Sequence, residues 1–133
     1  GKYCVTAGKG LQLLAARPNA DKTLEFGLSV WFDSGMHCGV TGKATPTEKG
    51  WRYESGLDSP DPDEHCKIDI NVTDGGIVAN ADEDARCASA CGGGARIVDI
   101  TFPPASQEST SLADDALIPD VFFNTACKDS PSP

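Results

Sequence analysis

Six cysteines, Cys4, Cys38, Cys66, Cys87, Cys91 and Cys127, run from one end of the chain to the other, and they set what it can fold into. Without cross-links the core is meagre. Leu, Ile, Val and Phe make up 26 of 133 residues, and the formal net charge is −9. That composition lies near the boundary at which apolar burial no longer offsets the entropy of folding. A domain of this length buries only about two-thirds of its unfolded surface. Disulfides would supply the missing stability, and lasting disulfides need an oxidising compartment. The expectation is a secreted or periplasmic chain with all six cysteines paired. No apolar run reaches the roughly 18 residues of a membrane span, and no charged and apolar leader is seen, so the expectation is a chain that is cytosolic or mature after signal removal, the cysteines favouring the second.

Six cysteines allow fifteen pairings, and spacing alone leaves them open. Cys4 and Cys127 lie near the two chain ends, which are often neighbours in space. A bridge between them would close a loop of over a hundred residues, worth roughly 4–5 kcal/mol in the chain-entropy view. Cys87 and Cys91 can pair locally through a helical turn, or each can reach a different strand. Cys87-x-x-x-Cys91 with His37, Cys38, His65 and Cys66 also has the ligand types of a zinc site. Adjacent His and Cys on a strand point to opposite faces, however, so one metal does not easily take both members of each pair. No Cys-x-x-Cys redox motif is present. The cysteines are therefore read as structural, with no metal or cofactor.

Hydrophobic periodicity gives the fold class. Leu24, Phe26, Leu28, Val30 and Phe32 alternate with Glu25, Gly27, Ser29 and Trp31, the period of a strand with one buried face. Cys66, Ile68, Ile70 and Val72 repeat the pattern, Thr73-Asp74-Gly75-Gly76 marks a turn, and residues 66–80 read as a hairpin. Weaker strands are expected at 37–45, 50–55 and 96–102, with Val98, Ile100 and Phe102 on one face. Leu11 and Leu13 suggest a short first strand. Helical turns are expected at 84–91 and 111–117, and a last edge strand at 121–123. Residues 59–64 and 103–110 read as loops, the former extended by its prolines. Short strands at close spacing predict an all-β fold, a small antiparallel barrel or strongly curved sheet stapled by disulfides. A two-sheet β-sandwich is the alternative. The domain spans residues 1–129, with 130–133 a flexible end.

Charge narrows the partners. Residues 1–53 hold seven Lys/Arg and four Asp/Glu, whereas residues 54–133 hold four and sixteen. The acidic part repels phosphate backbones and anionic membranes and would steer a basic protein toward itself. Its densest stretch, Asp58-Ser59-Pro60-Asp61-Pro62-Asp63-Glu64, lacks the spacing and central glycine of a calcium-binding hand. It reads either as a solvated loop or as a projecting acidic loop that contacts a basic groove through Asp58, Asp61, Asp63 and Glu64. Trp31, on the polar parity of its strand, is the aromatic anchor for that interface. Trp51 and Tyr53 share a face and read as core. No nucleophile elbow, zinc helix or phosphate loop is present, so catalytic residues are not assigned. Gly92-Gly93-Gly94 is read as a bend, and Asn71-Val72-Thr73 is a glycosylation sequon.

The order His37-Cys38-x-Val40-x-Gly42-x-Ala44, Gly50-Trp51-x-Tyr53, Cys66-x-Ile68-x-Ile70, Cys87-x-x-x-Cys91-Gly92-x-x-Ala95 and Phe102-Pro103 resembles small secreted or periplasmic proteobacterial β proteins, some of them grouped with periplasmic lysozyme inhibitors. The resemblance covers residues 24–103. It implies a small barrel that blocks a cell-wall hydrolase. Barrel-type inhibitors of that kind carry a Ser-Gly-x-x-Tyr loop, whereas Ser34-Gly35 and Ser55-Gly56 here lack the tyrosine, so no inhibitory residue carries over. The expected function is a binding protein that inhibits, or gives immunity against, a cationic wall hydrolase. A sugar-binding surface module built on Trp31, Trp51 and Tyr53, and a small hydrolase built on the acidic loop, are the alternatives.

Overall fold

The computed structural model describes residues 2–7, 10–32, 35–91 and 95–108. These residues form β1 (Lys2–Ala7), β2 (Gly10–Pro18), β3 (Leu24–Trp31), β4 (His37–Pro46), β5 (Gly50–Ser55), β6 (Cys66–Thr73), β7 (Gly76–Arg86), β8 (Ile100–Phe102) and the two-residue β9 (Gln107–Glu108). All pair antiparallel in the order β8-β7-β6-β5-β4-β3-β2-β1-β9. Consecutive strands are thus neighbours throughout, as the short connections require, and only β9 returns to the first strand. Among the described residues the only helical segments are single 3₁₀ turns at Pro62–Glu64, Ala88–Ala90 and Pro104–Ser106. No helix there is long and apolar enough to cross a membrane.

The sheet curls until its two edges meet, giving a nearly closed barrel. The Tyr3 ring of β1 packs edge-on against Phe102 of β8, with centroids 6.4 Å apart. Gln12 lies on the inward parity of β2, and its Nε2 donates to the Thr101 carbonyl of β8 at 3.3 Å. The interior follows from the alternation. Leu24, Phe26, Leu28 and Val30 are all buried, as are Cys66, Ile68 and Ile70. Phe32 lies just past β3 and is half-buried against the core. Val72, the last member of the β6 pattern, reaches the barrel rim and is exposed.

Two halves of the sheet meet at β4. This strand pairs with β3 along eight residues but with β5 only at Thr45↔Arg52 and Pro46↔Trp51. The gap beyond is filled from inside by Tyr53, whose ring packs edge-on against Phe26 at 5.3 Å. Gly42 faces that ring, and a Cβ there would sit 2.2 Å from Tyr53 Cε1. Glycine is the residue that lets β4 pass so close. A second close approach is at Gly76 (φ +118°), where a Cβ would meet the Phe102 carbonyl at 2.1 Å.

Several sequence expectations need correction. The strand expected around Leu11 and Leu13 is β2, the second strand of a hairpin with β1, and its core-facing residues are Leu14 and Ala16. Leu13 and Ala15 are fully buried on the opposite face. A strand enclosed on both sides reads as a continuous apolar run, which hides its period. The turn expected at 84–91 is instead strand as far as Arg86, followed by the short 3₁₀ turn. The expected strand 96–102 is only Ile100–Phe102. Asp99 is left-handed (φ 49°), its N–H held by Asn80 Oδ1 at 2.6 Å. That kink reverses the parity, so Ile97 is buried and Val98 exposed. The expected helical turns at 111–117, the strand at 121–123, the Gly92–Gly94 bend, Cys127 and the 129/130 boundary lie outside the described residues.

Both described bridges join separate strands or turns. Cys38 of β4 pairs with Cys91, and Cys66 of β6 pairs with Cys87. No local Cys87–Cys91 bridge forms, and none of the described cysteines is free. The thiolates a zinc site would need are consumed.

Candidate protein-binding surface

In an up-and-down barrel, alternate connections lie at the same end. The chain leaves β3 after Trp31, β5 after Ser55 and β7 after Arg86 on the same side, so Trp31, the 56–65 loop and the Ala88–Ala90 turn share one end. Trp31 and the acidic loop are both at that end. The two disulfides lie at this end as well. Cys38 is next to His37, which pairs with Trp31. Its partner Cys91 closes the 3₁₀ turn that begins after Cys87. Cys87 is bonded to Cys66, and its N–H donates to the His65 carbonyl at 3.1 Å. Covalent and hydrogen bonds thus run from Trp31 across to the loop.

The 56–65 loop is folded rather than extended. Asp61 caps the 3₁₀ turn, accepting from the Asp63 N–H at 3.0 Å. Ser59 Oγ donates to Glu64 Oε2 at 2.6 Å, and His65 Nε2 hydrogen-bonds the Ser59 carbonyl at 2.8 Å. Pro62 at the start of the turn has its φ preset for it and gives up no needed N–H. The four carboxylate residues Asp58, Asp61, Asp63 and Glu64 are all exposed. Asp61 and Glu64 hold the loop, whereas Asp58 and Asp63 accept no hydrogen bond from another described residue and project into solvent. The ion pairs among the described residues are Arg17–Glu25, Lys43–Asp21 and Arg52–Asp69. None takes a carboxylate of the loop, so its charge is uncompensated by direct pairing.

Trp31 stands on the outer face of β3, 44% exposed, the conspicuous large aromatic on that surface. Its indole lies over the His37 imidazole, with centroids 4.3 Å apart and planes tilted by 32°. His37 Nε2 is 2.7 Å from Ser29 Oγ. Ser29, Trp31 and His37 therefore form one hydrogen-bonded and stacked unit, and burial holds the His37 pKa below the ordinary histidine value. This arrangement fixes the indole without enclosing it. Ser29 is 1% exposed, so its hydroxyl is a positioning group for His37 rather than an accessible nucleophile.

No protein-family model, curated protein or solved structure matches this chain.

Trp51 and Tyr53 do not join Trp31 in a common platform. Tyr53 is packed within the barrel, and Trp51 Nε1 donates to the Lys22 carbonyl at 3.1 Å, at the opposite end. Among the described residues no group of three or more His, Cys, Asp and Glu is placed to hold a metal. A second acidic element was missed by sequence reading. Between the pairs Ile68↔Ala81 and Cys66↔Arg86 the register slips, so residues 82–85 form a bulge at the acidic end, with Ala85 turned into the core. Glu83 and Asp84 are exposed there, beside the exposed Arg86. The signal was the run of four polar or small residues 81–84 with no strand period. The two described disulfides point to an oxidising, extracytoplasmic compartment.

Proposed function

We propose that this chain is a secreted or periplasmic binding protein that captures a basic protein at its acidic barrel end, and that the partner is a cationic cell-wall hydrolase held in an inhibited or neutralised state. One observation carries the reading. Trp31 and the unpaired carboxylates of the 56–65 loop occupy the same end of the barrel, on a frame braced by Cys38–Cys91 and Cys66–Cys87. An exposed, oriented aromatic with carboxylates at the same end of the barrel has the elements of an interface hot spot and its charged rim. It loses little side-chain entropy on binding, because His37 already orients the indole. The uncompensated carboxylates raise the rate at which a positively charged partner arrives. Nothing in this arrangement favours phosphate or an anionic membrane as the target. The resemblance to lysozyme-inhibitor-like proteins supports the choice of a wall hydrolase among basic partners.

Surface plasmon resonance against basic lysozyme-type muramidases, at low and physiological salt, tests it. Asp58→Asn with Asp63→Asn should slow association and flatten its salt dependence, with dissociation nearly unchanged. Trp31→Ala should accelerate dissociation, at a cost of about 2 kcal/mol or more for a central anchor. An association rate that ignores salt would falsify the electrostatic part. Absence of binding to every basic wall hydrolase tried removes the partner assignment.

A further inference from the structure

Among the described residues, the end of the barrel opposite the acidic loop is open. A cavity of about 360 Å³ enters there between the strands. Its floor is buried and apolar, formed by Leu14, Leu24, Ile70 and Phe102. Tyr3, Trp51 and Ile77 make half-buried walls, and Val72 and Pro18 stand exposed at the rim. The feature is thus a funnel, with depth inside the core and a mouth in water. A barrel of about eight strands has an interior that side chains either fill or leave as room for one small ligand. Here they do not fill the mouth. Ala16 and Gly76 in the lining leave space that larger side chains would occupy.

We propose that this funnel binds the alkyl tail of a single-chain amphiphile, with the tail inside and the polar head at the rim. The lining is mostly apolar, with Thr73 and Gln107 among its polar members, and no buried side-chain polar atom of the described residues is left unpaired, so the funnel favours a methylene chain over a polar ligand. The open mouth suits a molecule with one end that must stay hydrated. An engineered apolar cavity of about 150 Å³ holds benzene. A volume somewhat over twice that takes a chain of roughly ten carbons. Rim charges are mixed, with Asp21, Lys22, Glu48, Lys49 and Asp74 on the adjoining turns, so the head group is not selected by sign. This site is independent of the protein-binding surface at the other end.

Trp51 provides the reporter. The chain has two tryptophans, so Trp31→Phe leaves Trp51 as the sole indole. It is anchored to the Lys22 carbonyl and lines the funnel. The protein is titrated, below their micelle concentrations, with alkyl maltosides of six to fourteen carbons and with the matching alkanoates. Phosphatidylcholine vesicles form a separate arm. Trp51 emission should shift to the blue on binding. Affinity should rise about fourfold per added methylene and level off near ten to twelve carbons, when the funnel is full. Val72→Asp puts a charge on the exposed rim without touching the core and should weaken binding at least tenfold. Ala16→Leu should shorten the preferred chain. Binding of maltosides and alkanoates without a vesicle response supports the site, whereas a response to vesicles alone is adsorption to a bilayer and overturns it. Trp51 emission unmoved by any chain overturns the proposal. So does affinity that climbs with chain length without levelling and ignores Val72→Asp, because that is surface adsorption.

Discussion

At the scale of single residues, His37 is the most informative group. Its ring accepts or donates at Ser29 Oγ, supports Trp31 and sits where burial disfavours the charged form. The folded state therefore binds this proton less readily than the unfolded chain. Its contribution to stability is complete above the ordinary histidine pKa of about 6.5 and is lost as pH falls through that value toward the lower folded pKa. Two measurements check this. The His37 imidazole should titrate below the ordinary value by nuclear magnetic resonance. The urea midpoint should decline between neutral and mildly acidic pH, and His37→Gln should remove part of that decline. A His37 midpoint at or above the ordinary value would contradict the burial argument. Sequence reading placed Trp31 on the solvent face correctly, because parity on a strictly alternating strand fixes direction. It passed over Ser29 and His37. Their meeting depends on hairpin register, and the Trp31↔His37 pairing that sets it is not visible in either strand alone.

Elements whose sequence alternates apolar with polar or small residues were legible, even where the outer face is also buried, as at Gly27 and Ser29 of β3. β3 and β6 alternate cleanly, and β5 matches residues 50–55 as expected. β2 was obscured by burial on both faces, and β8 by the left-handed Asp99. The cysteine pairing was left open by spacing, and it was decided by which turns the barrel brings to one end. The tightest element-level constraint is where β4 parts from β5. Gly42→Ala should cost about 1–3 kcal/mol, the usual range for overpacking, because the Tyr53 ring cannot retreat far inside the barrel. Combining it with Tyr53→Leu should cost less than the sum of the two single changes. Urea denaturation of the four proteins of the cycle reads this directly, and strict additivity would show that the ring does not oppose the new methyl group.

At the scale of the whole molecule, the barrel separates its surfaces: an acidic end with a fixed indole, and an open apolar end. Sequence reading anticipated the first from charge and parity, but the second arises only when distant strands enclose a space, and no local pattern records it. The disulfides act across this whole frame. The Cys38–Cys91 and Cys66–Cys87 bridges span 53 and 21 residues. Loop closure gives each roughly 3–4 kcal/mol, so Cys38→Ala/Cys91→Ala and Cys66→Ala/Cys87→Ala should each lower the urea midpoint markedly. Alkylation of the unreduced protein should leave the mass of peptides bearing these four cysteines unchanged.

The brief pairing of β4 with β5 has one more consequence. Beyond Thr45, the β5-facing side of a ten-residue strand has no strand partner among the described residues; its backbone contact there is the single bridge between Cys38 and Cys91. The other sheet edges end in strands of three and two residues, too short to template another chain. The disulfide is therefore also a guard against polymerisation: with it removed, β4 becomes a long unpaired edge of the kind that recruits strands from neighbouring molecules. Cys38→Ala/Cys91→Ala should form β-rich aggregates at concentrations where the Cys66→Ala/Cys87→Ala protein stays monomeric, a contrast that light scattering and thioflavin fluorescence would register.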